Sequence, residues 1–162
     1  MSRALRHVGV VVSKLEEGLR VFQEYLGCEL IGVYRELRGE YQSALVGIEN
    51  VEMNVALLRA DDNGRIELLE YVSPPGRRRA PVSANDIGVS HLALTVRSLD
   101  DLQARAGEYG VRFLSPPLTS PNGWVKVAYA VVLEEAMVEL VEVLDERAQF
   151  SGGNPPPRGE TK

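Results

Sequence analysis

Apolar positions near the amino end of the chain fall into two rhythms. His7-Val8-Gly9-Val10-Val11-Val12 is a valine-rich run, which predicts a strand buried on at least one face. Leu15, Leu19, Phe22 and Leu26 then follow at the i, i+4, i+7 and i+11 spacing of one helix face. Ser13 is the expected N-cap, with Glu16 as its capping-box partner, and Gly27 is the expected stop. Strand-like runs come next: one opening at Leu30-Ile31, then Tyr41–Ile48, Met53–Arg59 and Ile66–Val72. Asp62-Asn63-Gly64 is a turn signal before the last of them.

The pattern then recurs. His91-Leu92-Ala93-Leu94-Thr95-Val96 matches the first run at an offset of 84 residues. Leu15 is matched by Leu99, Glu16-Glu17 by Asp100-Asp101, and Glu24-Tyr25 by Glu108-Tyr109. Each copy then has a glycine, Gly27 or Gly110, and a new apolar run. So many matches in order indicate a duplicated unit. The second helix face is Leu99, Leu102, Ala106 and Tyr109, and its later strands are Val111–Leu114, Val125–Leu133 and Met137–Leu144. A single domain over residues 1–147 is expected, with module one at about 4–73, a linker at 74–87 and module two at about 88–146. The segment 148–162, rich in proline and glycine, reads as a flexible tail.

Composition narrows the class. The chain has 162 residues, 44% hydrophobic and 25% charged, as in an average globular domain. A net charge of −5 gives no positive field for phosphates, so nucleic acid is not an expected partner. No apolar run is long enough to span a bilayer, and no membrane partner is expected. Cys28 is the single cysteine, which suits a reducing compartment, and a cytoplasmic location is expected.

The candidate chemistry lies in polar residues that interrupt apolar strands. The two histidines, His7 and His91, occupy the same position in the two copies. Glu67 and Glu139 sit within Ile66-Glu67-Leu68-Leu69 and Met137-Val138-Glu139-Leu140. An ionised carboxylate there is costly unless paired or bound to a cation. Two imidazoles and two carboxylates make a divalent-metal ligand set. Periodicity alone leaves Glu67 against Glu70, and Glu139 against Glu142, open. Arg77-Arg78-Arg79 read as a solvated basic linker, with a substrate phosphate or carboxylate site as the other reading. Trp124, Tyr129 and Tyr71 are candidates for stacking on a bound ring, or ordinary strand and loop aromatics.

His7-Val8-Gly9-Val10, Leu15-Glu16-Glu17, Glu24-Tyr25-Leu26-Gly27 and Gly88-Val89-Ser90-His91-Leu92-Ala93-Leu94 resemble the two module openings of the vicinal oxygen chelate superfamily. That group includes glyoxalase I, methylmalonyl-CoA epimerase, extradiol dioxygenases and fosfomycin or bleomycin resistance proteins. The resemblance covers about residues 5–145. It implies an α+β fold of two tandem βαβββ modules forming a curled mixed sheet around a central metal-binding cavity. It also implies His7, Glu67, His91 and Glu139 as ligands, since in the family's terminal-strand motif the first acid is the ligand. One departure is the turn before the last strand, Glu134-Glu135-Ala136, where many relatives have an Asp-Pro-Gly type hairpin.

The ligand set leaves metal positions open for a substrate with two neighbouring oxygens. The expected activity is that of an epimerase or isomerase, acting on a 2-acyl acid thioester or a keto-sugar or cyclitol. It would proceed by proton abstraction and a metal-bound enediolate, with Glu139 and Glu67 as the catalytic carboxylates. Glu36, Glu40 and Tyr41 are further acid–base candidates. A glyoxalase I-like lyase is disfavoured by Val11-Val12, where an arginine for glutathione would stand. An extradiol dioxygenase needs only two His and one carboxylate, and Glu67 would crowd it. A metal-free antibiotic-binding protein usually lacks the ligands that this chain retains. One Co, Mn, Ni, Zn or Fe ion per site, a small-molecule substrate and a homodimer are the expected cofactor and partners.

Overall fold

The computed structural model describes residues 5–60, 64–78, 80–81, 83–133 and 135–150. Asp62 and Asn63 of the expected turn, Arg79, Glu134 and the expected tail from residue 151 onward lie outside the described residues. The chain divides into two compact units, Met1–Val82 with Leu133–Ala136, and Ser83–Val132 with Met137–Lys162.

In the first unit, β1 (Val8–Val12) leads into α1 (Leu15–Leu19), which widens into a π-helical stretch over Arg20–Tyr25. Then come β2 (Glu29–Arg38), α2 (Glu40–Val46), β3 (Glu52–Arg59) and β4 (Arg65–Ser73). The strands form one sheet in the order β1-β4-β3-β2. β1 pairs with β4 in parallel, and the other neighbours are antiparallel. The helix covers one face, where Leu15, Phe22, Leu58, Ile66 and Leu68 are fully buried. Burial of each such side chain contributes about 1.5–3 kcal/mol.

The expected helix face is close to the observed one, but the wide turn shifts it. Val21 and Tyr25 are buried beside Phe22, while Leu19 and Leu26 are only half-buried. The expected Ser13 cap is corrected: Lys14 is the N-cap residue, and its side chain makes no capping hydrogen bond. Gly27 ends the helix with a φ of 79°, a conformation that L side chains avoid.

A larger correction concerns Tyr41–Ile48, expected as a strand. It forms α2, bounded by Gly39 and by Gly47, whose φ of 68° closes the helix. Ile48 N–H donates to Ser43 O at 3.1 Å. Tyr, Val and Ile favour strands, yet here packing prevails: Val46 and Ile48 lie against a buried cluster of Val51, Met53 and Val55. Tyr41 and Leu45 are left exposed.

The second unit repeats the plan in shorter form. It comprises β5 (Leu92–Val96), α3 (Leu99–Arg105) with a 3₁₀ turn at Ala106–Tyr109, β6 (Arg112–Phe113), β7 (Leu118–Thr119), β8 (Val125–Val132) and β9 (Ala136–Val143). The sheet order is β5-β9-β8-β6, with β7 also on β8. β5 and β9 are parallel, as β1 and β4 are. Here a side-chain cap does form, with Asp101 N–H donating to Ser98 Oγ. The chain continues into a 3₁₀ turn at Glu146–Phe150, where Ala148, the first residue of the expected tail, is buried. The observed architecture is therefore mixed α+β, with one sheet in each unit. Among the described residues no helix is long and apolar enough to cross a membrane.

At Gly18 α1 runs close against the sheet. A Cβ there would stand 3.1 Å from Leu68 Cδ1 and 3.3 Å from Val12 Cγ1. Gly18→Val is expected to lower stability by about 1–3 kcal/mol through overpacking, measured as a lower denaturation midpoint at unchanged m-value.

Candidate metal centre

The parallel pairing of first and last strands positions the candidate ligands. In the first unit Val8 stands opposite Ile66 and Gly9 opposite Glu67. His7, at the head of β1, shares a face with Gly9, and Glu67 shares that face on β4. His7 Nε2 lies 3.3 Å from Glu67 Oε2. In the second unit Leu92 stands opposite Val138 and Ala93 opposite Glu139, the same register. His91 Nε2 lies 3.1 Å from Glu139 Oε2. All four side chains are about a quarter to a third exposed, open enough to meet a solute.

The four candidates thus come together two by two, one pair within each unit. Within either unit, no group of three or more His, Cys, Asp or Glu gathers among the described residues. The pair geometry fits a metal. Ligand atoms about 2.1 Å from one ion stand about 3.0 Å apart at a right angle and about 3.4 Å apart at a tetrahedral one. The observed separations fall in or next to that interval. The same distances suit an Nε2–H donating to the carboxylate, the arrangement in which a proton stands in for the cation.

The paired glutamates left open by periodicity separate cleanly. Glu70 is buried on the helix side of its sheet, where Asn54 Nδ2 donates to Oε2 at 2.9 Å and Lys14 Nζ approaches Oε1 at 3.4 Å. Glu142 accepts from Leu99 N–H at 2.8 Å and lies 4.0 Å from Lys126 Nζ. Both are committed to fastening a helix. The β8–β9 turn, without the usual proline and glycine, uses left-handed backbone at Leu133 and Glu135, φ 39° and 67°. Glu139 nonetheless sits beside His91.

Two residues join the second pair whose part the sequence did not disclose. Ser90 Oγ is 2.7 Å from His91 Nδ1. With Nδ1 protonated and donating to Ser90, the Nε2 lone pair is free for a cation. Tyr129, a stacking candidate, donates its hydroxyl to Glu139 Oε2 at 3.2 Å and packs edge-on to the His91 ring, centroids 5.0 Å apart. Burial, then the Glu139 charge and the hydrogen bond to it, push the Tyr129 hydroxyl above its ordinary pKa, so it stays a donor. The duplication gave no warning, because Ser90 corresponds to Arg6 at the same offset.

Other candidates serve elsewhere. Tyr71 packs on the Val51–Met53–Val55 cluster, and Arg147 lies over the Trp124 ring. Arg77 and Arg78 are exposed. Glu36 occupies a left-handed bulge of β2, φ 54°, its N–H donating to Asn54 Oδ1. Glu40 opens α2 and borders a cleft of about 910 Å³ with Arg38, Ser43, Glu49 and Glu52. Among the described residues Glu36, Glu40 and Tyr41 make no hydrogen bond or ion pair with either His–Glu pair.

Comparison with known proteins bears on the family and the fold. Residues 6–129 match the family model described as the Glyoxalase/Bleomycin resistance protein/Dioxygenase superfamily. A 2-epi-5-epi-valiolone epimerase from an Actinomyces species is 31% identical over 127 residues, covering 74% of this chain and 67% of the relative. A glyoxalase family protein of known structure from Bacillus cereus superposes with a TM-score of 0.77 at 26% identity, covering 88% and 97% of the two chains. The fosfomycin resistance protein FosX from Listeria monocytogenes, solved with Mn(II) and a dihydroxypropylphosphonic acid, shares the fold at a TM-score of 0.54 and 18% identity over 93% and 99%.

The two acids of β4 are expected to part company on substitution. Glu70→Ala should cost about 1–3 kcal/mol, since it strands the Asn54 amide, and leave metal uptake intact. Glu67→Ala should do the reverse, as read by denaturation and by Mn²⁺ or Co²⁺ titration of the same preparations.

Proposed function

Because the chain belongs to the Glyoxalase/Bleomycin resistance protein/Dioxygenase superfamily, we propose that it is a metal-dependent epimerase or isomerase. Its substrate is a small molecule with neighbouring oxygens, of the keto-cyclitol, keto-sugar or 2-acyl thioester class. The observation that carries this reading is the repeated His–Glu pair, built at the same strand register in both units with Nε2–Oε2 separations of 3.3 and 3.1 Å. Similarity to a relative named as an epimerase supports this reaction class among those of the superfamily.

The proposed ligands are His7, Glu67, His91 and Glu139. When bound, a divalent cation supplies Lewis acidity that stabilises negative charge on a substrate oxygen. The remaining work falls to the chain. The imidazoles offer Nε2 as ligand atoms, and Ser90 Oγ can accept from Nδ1–H of the second ring, the tautomer that leaves Nε2 free. Glu67 and Glu139 are the carboxylates able to take a proton from the carbon beside the carbonyl and to return one. On the strand face of His7 the first unit places Gly9, which adds no side chain beside the ligands. Tyr129 stays protonated and donates its hydroxyl to the Glu139 carboxylate.

The test combines metal content with proton exchange. Wild type should carry about one divalent ion per chain, lost in His91→Ala and Glu139→Ala alike. It should also wash deuterium into the carbon beside the carbonyl of a keto-cyclitol or thioester substrate. Glu67→Gln or Glu139→Gln should slow that exchange about 10²–10⁴-fold. A wild-type protein that takes up none of Co, Mn, Ni, Zn or Fe would overturn the reading in favour of metal-free small-molecule binding.

A further inference from the structure

The two His–Glu pairs have the same strand register but not the same surroundings. In the first unit, Leu57 stands opposite Glu67 across the β3–β4 ladder, so the neighbouring strand presents no hydrogen-bonding side chain there. Among the described residues His7 is the only side chain that pairs with the Glu67 carboxylate. In the second unit, β8 supplies Tyr129, whose hydroxyl reaches both Glu139 Oε2 at 3.2 Å and His91 Nε2 at 3.4 Å. Its ring stands at 77° to the imidazole, edge against face. Ser90 holds the far nitrogen of the same imidazole.

We propose that Tyr129 is a positioning residue for the metal centre: its hydroxyl fixes Glu139 Oε2 beside His91 Nε2, making this pair the preorganised half of the ligand set. The proposal rests on the metal reading above. Its physical basis is chelate preorganisation. A carboxylate free to rotate loses side-chain entropy when it ligates, whereas one already held by a donor loses less. The Tyr129 hydroxyl can donate to only one acceptor. Once Nε2 gives its lone pair to a cation, that acceptor is Glu139 alone, so metal binding and the Tyr129–Glu139 hydrogen bond reinforce one another. The ring adds a steric stop, because edge packing against His91 limits rotation of the imidazole.

The experiment is binding of Mn²⁺ and Co²⁺ to the metal-stripped full chain, by calorimetry and by the Co²⁺ visible spectrum. Tyr129→Phe keeps the ring and removes the hydroxyl. It should weaken binding about 10–100-fold and alter the Co²⁺ band pattern. Thermal unfolding of the stripped protein checks that the variant is folded. Tyr71→Phe, on the first unit's sheet, is the matched control and should bind as wild type does. In a Glu139→Gln background, Tyr129→Phe should cost at most a small further factor, because its effect runs through the carboxylate. Unchanged affinity and spectrum in Tyr129→Phe, or an equal loss with and without Glu139, would overturn the positioning role. A wild type that binds neither ion would overturn the metal reading together with it, so the two failures are told apart by the wild-type titration.

Discussion

In each unit the first strand is hydrogen-bonded in parallel to the last, with the helix and two or more strands inserted between them. A parallel pair cannot be made by a tight turn; it needs a crossover. β1 therefore meets β4, and β5 meets β9, only through contacts more than forty residues apart in sequence. That non-local pairing sets the position of everything chemical. A histidine one residue before the first strand and a glutamate near the start of the last one are remote in sequence. The ladder places them about 3 Å apart, and it does so twice. A shift of either strand by one residue would put the histidine and the glutamate on opposite faces of the sheet.

The glutamates show how the two faces of one strand are put to different uses. Glu67 and Glu70 are three residues apart, as are Glu139 and Glu142, and an odd separation places each pair on opposite faces. The helix-side member meets the start of the helix in both units. Glu70 is held by Lys14, the N-cap residue of α1, and Glu142 accepts the N–H of Leu99, the first residue of α3. A carboxylate near a helix N-terminus is favoured by the helix dipole and by unsatisfied N–H groups. The other member is left with an imidazole as its partner. One acid per strand thus joins helix to sheet, and its neighbour three residues earlier faces the histidine instead.

Much of this was legible in the chain because duplication amplified weak signals. A lone histidine at the head of a strand says little, but His7 and His91 at one offset, each in a module closed by a glutamate-bearing strand, say more. What stayed hidden was set by tertiary packing. Tyr41–Ile48 carries strand-forming residues and reads as a strand, yet Gly39 and Gly47 bound it as a helix that covers the Val51–Met53–Val55 cluster. Ser13 has the right chemistry for a cap and was displaced by one residue, because the helix starts where Leu15 must be buried. Tyr129 had no counterpart in the first copy, so no internal comparison could single it out.

The inequality of the two copies bears on what such a centre can do. A duplication produces two like halves, and two like halves present equivalent groups to a bound molecule. Inverting one carbon of a chiral substrate needs a base and an acid that reach opposite faces of it, since the proton leaves one face and returns to the other. The second pair is held by Tyr129 and Ser90, whereas in the first Leu57 stands opposite Glu67 and Arg6 precedes His7. On the proposed reading, then, His91 and Glu139 are the held pair of ligands. Glu67, tethered only by His7 among the described residues, retains the freedom of movement that proton transfer demands.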